Sequence, residues 1–274
     1  MGRFVNARVA PAARFRIIRS EVDVERIRDL ARQGRPVTRR RLELPLDGPL
    51  VLFAASLDAR QGAQDLPAFL DHLRSRGRDD VVLLVAGEGP LAQPLRQQLS
   101  KRGLKEAVRF LGFTNDLIAY QVAADCFLQL SRAEGLSIVT VQAEAARTPI
   151  VSYAVDGVQE LLGRGAAGSI VPIGDVAAAA AAVAEQLGRA QRGDADLNDW
   201  RPTAVREAYR EVFGAAPRTP SPIRDRTSGS TAPGDRTARN VNSTFRAADT
   251  PSVSRQTSDA RPSGGNPASS RRRM

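Results

Sequence analysis

From Pro49 onward the chain alternates short apolar runs with apolar positions at helical spacing. The runs fall at 51–57, 81–86, 108–111, 126–130, 150–153 and 169–171. Between them Leu66, Phe69, Leu70 and Leu73 recur every three or four residues, as do Leu91, Leu95 and Leu99 before a stop near Gly103. Further helices are expected from Asn115, a suitable N-cap, to Ala124, and over 138–146, 158–162 and the Ala-rich 176–187. Apolar runs without polar alternation are what strands need when helices cover both faces of a sheet. The pattern therefore predicts an α/β fold, a Rossmann-like doubly wound parallel sheet of about six strands. A last helix is expected over 199–213, with Trp200, Val205, Tyr209 and Phe213 as its apolar positions.

The flanks read differently. Before Pro49, residues 15–18 fit a short strand, 22–33 a helix, and Arg39-Arg40-Arg41 with 42–45 a connector. From Ala215 the chain is rich in Ser, Thr, Pro, Gly, Asn and Arg and has almost no aliphatic periodicity. Such a segment buries too little apolar surface to offset its ordering entropy and is expected to be disordered. Three regions follow: a basic, linker-like 1–48, the sheet domain 49–214, and the tail 215–274.

The formal charge of +10 changes meaning once it is divided along the chain. Residues 1–48 hold twelve arginines against six acids, and 215–274 hold eleven against four. The sheet domain has seventeen basic residues against twenty acids. A folded nucleic-acid binder carries its basic patch on the structured part, so no specific nucleic acid is expected. The Arg-rich ends leave open a weak, salt-dependent contact with RNA or an anionic membrane surface. Cys126 and His72 are the only residues of their kinds, which leaves no internal disulfide and too few ligands for a zinc site. One cysteine fits a reducing compartment, and no apolar stretch of membrane-spanning length occurs, so a cytoplasmic protein is expected.

Ligands of an open parallel sheet bind beyond the carboxyl ends of the strands, where the strand order reverses. That points to the loops 56–62, 87–90, 112–115, 131–137 and 154–157. Gly87-Glu88-Gly89-Pro90 lacks the third glycine of a dinucleotide fingerprint, so its glycines read as a tight turn rather than a cofactor loop. The segment 131–137 carries more chemistry. It leads from the fourth strand into a helix, where free amides of Gly135, Leu136 and Ser137 and the helix dipole favour a diphosphate. Glu134 just before them can accept hydrogen bonds from sugar hydroxyls. Gln142, eight residues on, lies about 12 Å along the helix axis.

In order and spacing, the segments VLFAASLDARQGAQDL, VVLLVAGEGPL, VRFLGFTND, AADCFLQLSRAEGLSIVTVQAEAARTPIV, DGVQELL and GSIVPIGD resemble the C-terminal, donor-binding domain of family-4 (group 1) GT-B glycosyltransferases. The likeness covers about residues 49–190. It implies transfer of a sugar from a nucleotide-sugar donor, with retention of configuration and with no metal or other cofactor. Carried over by position, Glu134 is the first acid of the family's Glu-x7-Glu motif and contacts the donor sugar. Gln142 stands where the family usually has the second Glu, which holds the ribose. The Arg and Lys that usually clamp the donor diphosphate read Ser56 and Gln61, and the neighbouring Arg60 is the candidate replacement. Gly112, opening the loop after the third run, joins the expected donor contacts. Glu144 is expected to face away from the site. The family's acceptor-binding domain does not fit into 48 residues, so an acceptor subunit in trans, or a split or truncated enzyme, is expected. A non-catalytic nucleotide-sugar-binding module is the competing reading.

Overall fold

A computed structural model of the chain describes residues 16–189 and 193–214. The expectations for residues 1–15 and for the tail from 215 lie outside the described residues. Among these, the six apolar runs form one parallel sheet: β1 (Leu50–Ala54), β2 (Val82–Ala86), β3 (Val108–Gly112), β4 (Cys126–Gln129), β5 (Ile150–Tyr153) and β6 (Gly168–Val171). Their order across the sheet is β3-β2-β1-β4-β5-β6. The winding therefore reverses between β1 and β4, and the carboxyl ends of those two strands flank the crevice.

The helices are α1 (Val24–Arg32), α2 (Arg35–Arg41), α3 (Leu66–Arg74), α4 (Ala92–Lys101), α5 (Leu117–Ala123), α6 (Ile138–Ala145), α7 (Asp156–Gly163), α8 (Val176–Leu187) and α9 (Pro202–Phe213). Successive strand residues point to opposite faces, and both faces are buried. Val51, Phe53, Leu83, Val85, Leu128, Val151 and Tyr153 meet α3, α4 and α8 on one side. Leu50, Leu52, Leu84, Phe127 and Ile150 meet α1, α5, α6 and α7 on the other. This two-sided burial is why the runs show no polar alternation. The described residues all belong to one compact unit, and no helix among them is long and apolar enough to cross a membrane.

Three local expectations are corrected. Residues 16–18 form no strand. The N-cap of α5 is Asp116, not Asn115, because the Asp116 amide donates to Thr114 Oγ1 at 3.1 Å and the helix begins at Leu117. The last helix begins at Pro202, whose ring suits the first turn, and 198–200 forms a separate 3₁₀ turn that buries Trp200.

The arginine run also folds differently from the expected connector. Pro36 starts α2, and Arg39 within it is only 4% exposed. Its guanidinium donates to Asp125 Oδ2 at 2.5 Å, to the Ala123 carbonyl at 3.0 Å and to the Gly48 carbonyl at 3.0 Å. Asp125 in turn accepts the Leu50 amide at 2.7 Å and an ion pair from Arg35. One buried charge pair thus joins α2 to the amino ends of β1 and β4. Residues 24–41 also add Val24 and Ile27 to the core beside Trp200. The change at residue 48 is one of composition rather than of packing.

Candidate functional site

The site begins where β1 ends. Leu57 turns back into the core, its amide donating to the Glu88 carbonyl at 2.8 Å and its carbonyl accepting the Leu91 amide at 2.9 Å. This stitching brings the loops after β1 and β2 into backbone contact. A Cβ at Gly87 would overlap the Ala55 carbonyl, and one at Gly89 would lie 2.6 Å from the Leu57 carbonyl. The two glycines serve close approach, as the reading of a tight turn anticipates in kind.

The loop after β1 is pinned on its other side to the loop after β4. Gly62, at φ +78°, sits where any side chain would strike the Leu130 carbonyl. Arg132 donates its amide to the Arg60 carbonyl at 2.9 Å. Asp58 accepts the Gln61 amide at 2.9 Å. That bond, with help from the Ser56 hydroxyl and from Arg60, holds the Asp58 carboxyl below the usual range. The Gln61 side chain is buried between the loops. Its Oε1 accepts from Ser131 Oγ at 2.5 Å and its Nε2 donates to Glu134 Oε2 at 3.3 Å. Gln61 therefore touches the one carboxylate singled out from the sequence.

Arg60, Arg132, Ala133, Glu134 and Gly135 line a cavity of about 440 Å³, with residues 154–156 and Ile173 opposite. It opens at the carboxyl edge, over the ends of β4 and β5. Among the described residues nothing accepts a backbone hydrogen bond from the amides of Gly135, Leu136 or Ser137, which precede α6. A helix start leaves such donors open to a ligand. Gly157, in the first turn of α7, packs against the Gly135 carbonyl and Leu136 Cα. A methyl group there would displace the backbone that carries these amides. Gly157→Ala should cost about 1–3 kcal/mol and weaken ligand binding in the cavity. Gly163→Ala, on the same helix with open space around it, should leave both unchanged in thermal melts and calorimetry.

Arg132 is the residue that sequence reasoning passed over. Its Nη2 lies 3.1 and 2.9 Å from the two oxygens of Asp65, and the buried Tyr153 hydroxyl donates to Asp65 Oδ2 at 2.9 Å. Burial first, and then donation to Asp65, pushes the Tyr153 hydroxyl above its usual range and keeps it a donor. The two partners come from the loop after β4 and from the end of β5, 67 and 88 positions away from Asp65, so no local motif announces them. Arg132 Nη1 is buried without a hydrogen-bond partner in the described structure.

The other expected residues fall around this centre. Ser56 is exposed on the loop after β1. Gly112 ends the edge strand β3 and accepts the Gly87 amide at 2.8 Å, away from the cavity lining. Leu136 packs against the buried cluster that contains Trp200 and lines a separate pocket beside it. Gln142 is half-buried on α6 and does not line the cavity. Glu144 does face elsewhere: it is buried and accepts the Ala195 amide at 2.9 Å. Cys126 is enclosed in β4, where burial pushes its thiol up to about 12, so it is no nucleophile. Among the described residues no group of three or more His, Cys, Asp or Glu is placed to hold a metal ion.

A Rossmann-like sheet thus carries Glu134, Asp156, Arg60 and Arg132 around one cavity at its carboxyl edge, next to open amides. The family model for glycosyl transferases group 1 matches residues 34–192, more than half of the sequence, and the chain belongs to that family. It is 32% identical over 220 residues to a glycogen synthase of Mycobacterium tuberculosis, covering 75% of this chain and 50% of that one. It is also 32% identical over 195 residues to a GDP-mannose-dependent phosphatidylinositol monomannoside mannosyltransferase of the same organism, covering 68% and 49%. The chain thus spans about half the length of these curated relatives. The structure of HepE from Anabaena, solved with UDP and glucose, superposes with a TM-score of 0.59 at 20% identity, over 76% of this chain and 58% of that one. That likeness shows the fold.

Proposed function

We propose that this domain binds the nucleotide-sugar donor of a glycosyltransferase. The observation that carries the reading is the meeting of Glu134, Arg60 and Gly135 on one cavity at the carboxyl edge, with the unpartnered Leu136 and Ser137 amides following directly. In this reading Glu134 accepts hydrogen bonds from the donor sugar, and the amides and Arg60 hold the diphosphate. Arg132 adds a second cation, fixed in place by Asp65. Gln142 reaches the ribose from α6. As the glycosidic bond breaks, the leaving diphosphate gains negative charge, and fixed donors aimed at it lower the barrier. Retention of configuration without a metal belongs to the same reading, as does an acceptor-binding domain that completes the cleft.

Relatives named for a GDP-mannose donor and a fold neighbour solved with UDP support the donor class. Gln61 favours the second reading, a nucleotide-sugar binder without turnover. It gives Glu134 a neutral amide donor where the family resemblance puts a lysine. Calorimetry with nucleoside diphosphates and their sugars tests binding. Glu134→Ala should weaken a nucleotide-sugar about 10–100-fold while sparing the free nucleotide, because a hydrogen bond to a charged group is worth about 1.5–3 kcal/mol. Arg60→Ala should weaken both. An equal response of sugar and nucleotide to Glu134→Ala removes Glu134 from the sugar. Transfer or donor hydrolysis, with or without an added acceptor domain, separates an enzyme from a binder.

A further inference from the structure

A second concave site lies at the opposite edge of the sheet. Arg28 and Arg32 of α1, Arg35 at the start of α2, and Arg147 just after α6 line a cavity of about 340 Å³. Ala31, Gly34, Val122 and Ala146 complete its lining. The cavity sits where β4 and β5 begin, since Arg35 reaches Asp125 just before β4 and Ala146 lies a few residues before β5. The donor cavity occupies the other ends of these strands.

The lining arginines meet a few carboxylates beside the cavity. Arg28 and Arg147 share Asp194, at 3.6 and 3.0 Å. Arg35 shares Asp125 with the buried Arg39. Arg32 pairs with Asp29. Arg28 also donates to the Ala195 carbonyl at 3.4 Å. Glu144 stands behind Arg28, but the bond it makes goes to the Ala195 amide. Arg28 Nε is buried and has no hydrogen-bond partner in the described structure. A desolvated N–H without an acceptor is costly, and an entering anion supplies one. Guanidinium forks match the oxygens of a phosphate better than any other common anion.

We propose that this arginine-lined cavity binds a phosphate monoester. The shared chemistry is a terminal phosphate, carried either by a small soluble ester or by a lipid headgroup. The site is independent of the donor cavity, so the two proposals stand or fall separately.

The test uses the full chain. Calorimetry with inorganic phosphate and with glycerol 3-phosphate, against chloride at matched ionic strength, should show saturable binding. Arg28→Gln and Arg147→Gln should each weaken it about tenfold, and Arg76→Gln, on an exposed arginine outside the cavity, should not. Arg147→Gln changes an exposed side chain, so it keeps the test decisive should Arg28→Gln impair folding, which melting curves report. Phosphatidylcholine vesicles with and without phosphatidic acid separate the sources. Capture only by vesicles with phosphatidic acid, lost in Arg147→Gln, assigns the lipid headgroup; binding of glycerol 3-phosphate alone assigns the soluble ester. Absence of any phosphate-dependent signal, or equal binding by wild type and both variants, overturns the proposal.

Discussion

Arg39→Met should destabilise the protein by about 3–5 kcal/mol, the range for breaking a buried ion pair on one side. Methionine keeps much of the volume, so the loss reports charge and hydrogen bonding. Removing the guanidinium leaves Asp125 with Arg35 on Oδ1 and only the Leu50 amide on Oδ2, and strips the Ala123 and Gly48 carbonyls of their Arg39 donor. The adjacent positions supply the contrast. Arg40 is exposed, and Arg41 makes only an exposed pair with Asp116 at 3.7 Å. Arg40→Met and Arg41→Met should therefore change stability by less than about 0.5 kcal/mol. Urea unfolding of the three variants checks this. Equal effects at all three positions would show that Arg39 is not the anchor.

The second large effect is a dependence on pH. Glu144 is 2% exposed, and burial pushes its carboxyl from 4.5 up to about 7 despite the Ala195 amide it accepts. The nearby Asp194 raises it further, and Arg28 pulls it down. Because the folded state holds this proton more tightly than the unfolded state, the sign is opposite to that of a salt-bridged acid. Stability is greatest below about pH 4.5 as far as this group is concerned, and falls as pH rises through about 7. At about 1.4 kcal/mol per unit the loss is about 3 kcal/mol. Denaturation between pH 5 and pH 8 (~3 pH units, spanning the window set by these pKa values) should show the decline in wild type and not in Glu144→Gln. An identical slope in that variant would assign the dependence to another group.

How far the sequence could be read depends on whether the signal is local. The runs at 150–153 and 176–187 match β5 and α8 because two-sided burial and Ala-rich helical spacing leave their mark in consecutive residues. Six strands separated by helices do not by themselves fix the strand order, and only the folded sheet shows the reversal between β1 and β4. What stayed hidden was pairing across the chain. Arg39 looks like its neighbours until Asp125, 86 positions away, lies beside it. Gln61 looks like a lost cation until the Glu134 side chain, 73 positions away, takes its amide. Arg132 lay within the recognised motif, yet its anchoring by Asp65 and Tyr153 depends on how the loop after β4, the 3₁₀ turn 63–65 and the end of β5 meet. The cap of α5 was missed by one residue because Asn115 and Asp116 are both suitable by type, and the Asp116 side chain makes no capping bond that would mark it.

The stitched loops at the carboxyl edge have a consequence for how a ligand arrives. With Leu57 sewn to one neighbour and residues 60–62 to the other, the floor beneath Glu134 is organised before anything binds. The entropy of ordering that surface is settled during folding and is not charged against affinity. Encounter should then proceed without a slow rearrangement on this side of the crevice, and the selectivity of the floor should reflect fixed geometry rather than adaptation.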